Sequence, residues 1–353
     1  MTSTSRCRSL IEEPSMADER TMTTTDVLMT SAGTGDGHPI ISTPFGAEAE
    51  RGGVGGSAAH HVHDKPSVVI RLVTLATVVV PFVGLIAAMS LLWHVAFNWT
   101  YLAIFGAMYM LTAIGVTVGF HRLFTHGAFK TSRPVKVVLG VLGSMSLQGP
   151  LLTWVAVHRR HHQCSDESLD PHSPHAYGGG VWGTVRGFVH AHLGWMFRSE
   201  SHNLARYTGD LRKDKAMRRV SRLFLLWGAV GLVLPAVVGG LVTMSWTGVL
   251  LGFLWGGLVR VFIGHHVTWS VNSVCHLWGT QPYACDDESR NNMLVGILAF
   301  GEGWHNNHHA FPTSARHGLH WWQIDLSYLF IRLLGVMGLA SDIRRPSRER
   351  MAD

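Results

Sequence analysis

Four uninterrupted apolar runs stand out along the chain, at 72–93, 99–120, 223–242 and 246–264. Each is about twenty residues long, enough at roughly 1.5 Å per helical residue to cross the 30 Å or so of a bilayer's hydrocarbon core. The links 94–98 and 243–245 inside each pair are short and carry no Lys or Arg. Pro81 and Pro235 fall within runs, which membrane helices tolerate because neighbouring groups satisfy the freed carbonyls. Arg260 lies within a turn or so of the end of the fourth run, where a long cationic side chain snorkels or faces protein.

A fifth apolar stretch, 135–154, is interrupted by Ser144, Ser146, Gln148, Gly149 and Pro150. If it spanned, the histidines before it (121 and 126) and after it (158, 161 and 162) would face opposite sides of the membrane. Four spans instead put every histidine-rich segment on one side, so 135–152 is expected to be a single helix lying in or dipping into the interface. The link 121–222 carries fifteen Lys plus Arg against six Asp plus Glu, which makes that side cytoplasmic by the positive-inside tendency. Residues 291–300 and 324–340 are too short or too interrupted to span and read as interfacial helices. The expected organisation is a polar disordered tail over 1–64, one membrane domain over 65–342 and a polar tail over 343–353. The first tail has no basic start followed by an apolar core, so no cleavable signal is expected. Its glycine clusters, 33–37 and 52–56, lack the flanking strand and helix of a dinucleotide fingerprint.

Composition agrees with a membrane protein. The 353 residues are 47% hydrophobic and only 15% charged, with thirteen tryptophans of the kind that settle at membrane interfaces. The net charge of +6 raises nucleic-acid binding as a rival, which the long uncharged runs exclude. Cys7, Cys164, Cys275 and Cys285 form no CxxC pair, so neither a zinc ribbon nor a thioredoxin-like motif is present and unpaired thiols are expected.

The polar segments carry three histidine-rich motifs. His305, His308 and His309 stand at i, i+3 and i+4, within one 100° sector of a helix, where three imidazoles can face one spot. His158, His161 and His162 repeat that spacing, and His121 and His126 form an HxxxxH. Eight imidazoles are too many for one zinc ion; two metals sharing eight or nine nitrogens fit the count. No HExxH is present, and only Glu302-x-x-His305 resembles the paired ExxH motifs of carboxylate-bridged di-iron bundles, so both of those alternatives fail. Continuing the fourth run as a helix places His265, Trp269, Asn272 and His276 on one stripe. His276 then points where the motifs converge, while His265 and His266 read as interfacial. Asp166, Glu167, Asp170 and Glu302 adjoin the motifs and can orient imidazoles from behind.

His121-Arg-Leu-Phe-Thr-His126, His158-Arg-Arg-His161-His162, Asn272-Ser-Val-Cys-His276 and Gly301-Glu-Gly-Trp-His305-Asn-Asn-His308-His309 resemble, in order, spacing and neighbours, the integral-membrane fatty acyl desaturases of the stearoyl-CoA desaturase type. The resemblance covers residues 66–342. It implies an all-α, four-span membrane bundle with a cytosolic helical cap. It also implies two irons on nine histidines: His121, His126, His158, His161, His162, His276, His305, His308 and His309. Asn272 would hold a water on one iron, and Asp170 and Glu302 would stand behind ligands. The activity implied is insertion of a cis double bond, commonly at carbon 9, using O2 and two electrons. Gln148, Trp154, Thr268 and Trp269 match positions lining the bend of a kinked acyl tunnel. Chemistry agrees: attack on an unactivated methylene needs a redox-active metal, which zinc is not.

Two places depart from the pattern. Acyl-CoA relatives carry an Arg-Asp pair before HxxHH where this chain has Ala156-Val157, and many carry a basic residue where this chain has Gly127. Both weaken CoA as the acyl carrier, so the expected substrate is a fatty acyl group linked to CoA, a lipid or a carrier protein, with the last two favoured. Arg133, Lys136, Arg198 and Arg316 are the candidates to meet an anionic head. No haem-binding HPGG and no flavin or nicotinamide fingerprint occurs, so the electron donor is expected to be separate: a ferredoxin, a cytochrome b5-like protein or a flavin reductase. Hydroxylation of an apolar chain is the alternative reaction for such a site. A histidine-rich metal transporter is the remote alternative, and it calls for ligands inside the spans.

Overall fold

The computed structural model describes residues 68–92, 98–197, 204–347 and 349–351, and the chain there is mostly helical. In order the helices are α1 (Val68–Leu92), α2 (Trp99–Ile114), α3 (Arg133–Ser144), α4 (Leu151–Cys164), α5 (Gly180–His192), α6 (Leu204–Tyr207), α7 (Gly209–Lys213), α8 (Lys215–Arg222), α9 (Phe224–Thr243), α10 (Trp246–Gly252), α11 (Arg260–Leu277), α12 (Met293–Leu298), α13 (His305–Ala310) and α14 (Leu326–Val336). A π-helical stretch, Gly115–Thr125, continues α2, and a second, Phe253–Val259, joins α10 to α11. Four helical segments are long and apolar enough to cross a membrane: Arg71–Ser90, Trp99–Thr125, Phe224–Thr243 and Trp246–Leu277. All four expected spans are present. The second and fourth outrun their apolar sequence, which carries His121 and His276 on rigid extensions.

Glycines let the spans touch backbone to backbone. A Cβ on Gly252 would lie 2.2 Å from the Pro235 carbonyl oxygen, and one on Gly115 would lie 2.1 Å from the Gly143 nitrogen. Small residues at such crossings are how membrane helices gain van der Waals contact without a hydrophobic drive. The Gly115 contact seats α3 against the stretch that carries His121.

The segment 135–154 is two helices, where the sequence suggested one. Helix α3 stops at Ser144, and Leu147 (φ 61°) and Gly149 (φ 107°) turn the chain into Pro150, which precedes α4. A helix end buried in protein leaves carbonyls without partners. Two side chains of α11 supply donors: Arg260 Nη1 to the Met145 carbonyl (2.9 Å) and His265 Nε2 to that of Ser146 (2.9 Å). Arg260 also donates from Nη2 to Gly231 O (2.7 Å) and from Nε to Gly256 O (3.1 Å). It faces protein, at 1% exposure, and His265 is buried rather than interfacial. Irregular backbone inside a membrane bundle survives only with such partners.

Helix α14 buries Tyr328, Ile331 and Leu334 while Leu329, Leu333 and Val336 stay exposed, as expected for a helix with one face in lipid headgroups. Beyond it, Ala340–Ser341 pairs antiparallel with Lys130–Thr131. The start of the polar segment from 343 is tied to the rest of the chain: Arg344 N–H donates to Ala128 O (3.0 Å) and Arg344 O accepts from Ala315 N–H (2.9 Å). Residues 1–64, with Cys7, lie outside the described residues; Cys164, Cys275 and Cys285 form no disulfide with one another.

Candidate metal centre

Each histidine motif meets its spacing with a local geometry. In an α-helix, His121 and His126 would sit about 140° apart. The π-helical stretch brings them round, with His126 N–H donating to His121 O at 3.2 Å, the i→i+5 bond of that helix. The other two motifs lie on α4 and on the short α13.

Sharing a sector does not make each HxxHH face a single spot. Consecutive helical residues diverge by about 100°, so the adjacent pairs His161/His162 and His308/His309 part. One group of five holds His121, His126, His158, His162 and His308; a second of four holds His161, His276, His305 and His309. All nine expected ligands are brought together, in two clusters. The i, i+4 pairs His158/His162 and His305/His309 each stay together, and the histidine between them joins the other group.

Ring nitrogens within each group are too close for chance. His308 Nε2 lies 3.0 Å from His121 Nε2 and 2.9 Å from His162 Nε2. His158 and His162 approach at 3.1 Å, and His276 and His305 at 3.0 Å, all through Nε2. Two ligands about 2.1 Å from one ion and at right angles to each other lie about 3 Å apart. The far nitrogens fix the tautomers. His121 Nδ1 meets Glu302 at 2.5 Å, His161 Nδ1 meets Asp170 at 3.0 Å, His276 Nδ1 meets Asp166 at 2.8 Å and His309 Nδ1 meets Asp287 at 2.6 Å. An ionised carboxylate only accepts, so each Nδ1 carries a proton and Nε2 is the nitrogen left to face a metal.

Protonation favours the same outcome. Burial first, then the neighbouring histidines, holds His126, His158, His162, His305 and His308 well below the usual imidazole range. These ligands are therefore neutral, the form that binds metal. Burial opposes ionisation of Asp170 and Asp287, yet His161 and His309 beside them pull both carboxyls below the ordinary range. The buried Nε2 atoms of His126, His161 and His309 have no hydrogen-bond partner, a costly state that a cation relieves. The donor set fits two metal ions held by imidazole nitrogens.

A cavity of about 700 Å³ opens against these groups. His121, His158 and His305 stand on its wall together with Gln148, Trp154, Thr268 and Asn272. Gln148 donates to Thr268 Oγ1 at 2.8 Å, and Trp154 stacks on the His158 ring at 5.1 Å. Trp269, expected beside them, does not line this cavity. One position on from Thr268 it is turned about 100° away, and it packs against His192, His265 and His266.

A family model for fatty acid desaturases matches residues 97–329. The chain belongs to that family. Among its relatives, a hex-5-enoyl-[acyl-carrier protein] acetylenase of Moorena producens (strain JHB) is 45% identical over 271 residues, 76% of this chain and 84% of the relative. The chloroplastic palmitoyl-monogalactosyldiacylglycerol delta-7 desaturase of Arabidopsis thaliana is 38% identical, across 75% of this chain and 68% of its own. An sn-1 stearoyl-lipid 9-desaturase of Synechocystis sp. (strain ATCC 27184 / PCC 6803 / Kazusa) is also 38% identical, across 73% and 76%. The protein is thus an oxidoreductase of fatty acyl chains.

The structure adds residues to the desaturase site that the sequence did not single out. Asp287, behind His309, comes from the link between α11 and α12, a loop with no motif to mark it. His317 packs tilted against His308 with centroids 4.4 Å apart and reaches Glu302 at 3.4 Å; His172 packs tilted against His161 at 4.5 Å. Both lie next to ligand motifs in space and far from them in pattern. Ala156 and Val157 are buried in α4 and offer no charge to a CoA head. Arg133 is drawn to Asp214 at 3.8 Å, Arg316 donates to the Gly318 carbonyl, and Arg198 lies outside the described residues.

Proposed function

We propose that this desaturase takes two hydrogens from adjacent methylenes of a long fatty acyl chain and leaves a cis double bond, at carbon 9. The balance is R–CH2–CH2–R′ + O2 + 2 e− + 2 H+ → R–CH=CH–R′ + 2 H2O. The observation that carries this reading is the meeting of nine convergent imidazoles with the wall of an otherwise largely apolar cavity, through His121, His158 and His305. The nine histidines would hold two Fe2+ ions, five on one and four on the other. Iron bound there would supply the redox capacity that hydrogen removal from an alkyl chain demands. The rest is the chain's work. Glu302, Asp166, Asp170 and Asp287 hold imidazole protons on Nδ1, so that every Nε2 behind which they stand stays available. Asn272, one helical turn before His276 and on the cavity wall, is placed to hold a water beside the four-histidine group. The cavity wall selects which carbon lies nearest the histidines, and position alone is worth many orders of magnitude in rate. Relatives that act at carbon 9 of lipid-linked chains support that position.

The acyl group arrives linked to a lipid, a carrier protein or CoA; relatives act on each kind, and buried, uncharged Ala156-Val157 favour the first two. Electrons come from a separate ferredoxin, cytochrome b5-like protein or flavin reductase. The histidine side is cytoplasmic and the protein sits in the cell membrane, supported by the basic link 121–222. The test is to express the full chain and identify lipid products and metal. A product two hydrogens lighter with its double bond at carbon 9, and about two irons per chain, is expected. A product one oxygen heavier would replace desaturation by hydroxylation, and turnover by the purified protein with O2 and NADPH alone would remove the external donor.

A further inference from the structure

A second recess, of about 290 Å³, opens on the polar side of the molecule between the chain that follows the last histidine motif and the C-terminal segment. Its walls combine Phe311, Pro312 and Pro346 with Arg344, Arg345 and Arg350. The three arginines are exposed. Among the described residues the segment's carboxylates are Asp342, taken by Lys130 at 3.2 Å, and Glu349. The recess is stitched to both histidine groups. Phe311 follows His309 by two residues, and its N–H donates to the carbonyls of Asn307 (3.0 Å) and His308 (3.1 Å). Arg344 is bonded through its N–H to Ala128, two residues after His126. The Arg350 guanidinium lies 6.0 Å from the Phe311 ring, which stacks edge-on against Tyr283 at 5.1 Å.

We infer that this recess is the docking surface of an acidic one-electron carrier protein, with Phe311 at the contact as the short covalent route to His308 and His309. The inference rests on the desaturase reading and names the face its electron donor uses. An apolar centre inside a cationic rim is the anatomy of a small, transient protein interface, in which charge governs encounter. An acyl carrier is disfavoured because the recess shares no wall residue with the acyl cavity. Each docking passes one electron inward and leaves the carrier oxidised by one. Two dockings supply the two electrons that O2 takes beyond the two drawn from the C–H bonds.

The test uses the iron-loaded full chain in nanodiscs of neutral lipid, with either a reduced plant-type [2Fe–2S] ferredoxin or a reduced soluble b5 haem domain, and with dithionite as the small reductant. The wild type is expected to turn over with at least one carrier, at a rate that falls steeply with salt. In the R344E/R345E/R350E variant the apparent KM for that carrier should rise at least tenfold relative to the dithionite-driven rate, and the salt dependence should flatten. R345E alone should move both readouts in the same direction by a smaller factor, which guards against a folding defect in the triple variant. Four outcomes overturn the inference: an unchanged carrier KM, an equal loss with dithionite, a rise only in the apparent KM for a carrier-protein-linked acyl substrate, or an effect that appears only with anionic lipid. Wild type that works with dithionite and with neither carrier overturns it too. Wild type inactive with every reductant instead removes the desaturase reading beneath it.

Discussion

The five-histidine group takes His121 and His126 from the end of the second span, His158 and His162 from α4 and His308 from α13. One carboxylate stands behind it, Glu302, and that carboxylate is shared. Arg122, fully buried, pairs with Glu302 at 3.1 Å and with Asp325 at 2.9 Å, and Asp325 in turn caps α14 through Tyr328 N–H. In the four-histidine group three of four imidazoles have a carboxylate of their own: His161 with Asp170, His276 with Asp166, His309 with Asp287. Those carboxylates come from the links after α4 and after α11. The first group is therefore oriented by helices and by an ion network that also holds the fold. The second is oriented by loop carboxylates whose other bonds are to loops: Asp170 accepts from the N–H groups of Asp166 and His172, and Asp166 from Ser173 Oγ and Glu288 N–H. Convergent imidazoles are reached by two constructions, and the two should fail in different ways.

Loss of a ligand is the largest expected effect and should not distinguish them. His308→Ala and His161→Ala each remove one imidazole, the first from the five-histidine group and the second from the four. Activity should fall by more than about 100-fold in both, beyond the 10–100-fold typical of residues behind a ligand. Iron should drop from about two per chain toward one, while membrane insertion is unchanged. Product analysis and metal content measure this, and activity retained in both variants would dissolve the ligand assignment.

The carboxylates then separate the two groups. Asp287→Asn or Asp166→Asn should weaken metal at the four-histidine group by about 10–100-fold, so brief chelation of the variant leaves about one iron per chain where the wild type keeps two. Thermal stability of the metal-free protein should barely move. Glu302→Gln should do the reverse. Arg122 keeps Asp325 but loses half its charge balance in a fully buried place, at a cost of about 1–3 kcal/mol. A lower thermal midpoint of the metal-free protein is the readout. Equal chelation behaviour for Glu302→Gln and Asp287→Asn would erase the distinction between the groups.

Most of this architecture was readable in the sequence, for physical reasons. Twenty-residue apolar runs have one economical fate, and histidines at i, i+3 and i+4 must converge on some neighbour. What stayed hidden depended on distant partners. The break at Leu147–Pro150 is stable because Arg260 and His265, more than a hundred residues away, meet the carbonyls it exposes. The split of each HxxHH between two groups follows from the 100° step between neighbours, but only once other helices supply the remaining ligands. Asp287 carries no pattern at all: an aspartate in an acidic loop becomes a partner of His309 only through folding. The π-helical turn was the one hidden feature with a local trace, since a five-residue spacing is out of phase with an α-helix and in phase with a π-helix.

The smallest effect tests how the five-histidine group meets the acyl chain. Trp154 has the His158 ring on one side, Phe120 at 5.7 Å on another, and the cavity beyond. Trp269 stands next to a cavity residue but packs away from it, among His192, His265 and His266. Trp154→Phe keeps an apolar ring and should leave iron content intact, yet it opens space at the point where chain and histidines meet. The chain should then bind in more than one register, seen as a minority product with the double bond displaced by a carbon or two. Trp269→Phe should leave the product pattern as it is and lower stability by roughly 1–2 kcal/mol for the lost contacts. Displaced double bonds from Trp269→Phe alone would mean that the bound chain bends around the other face of α11, and that the cavity seen here is not its path.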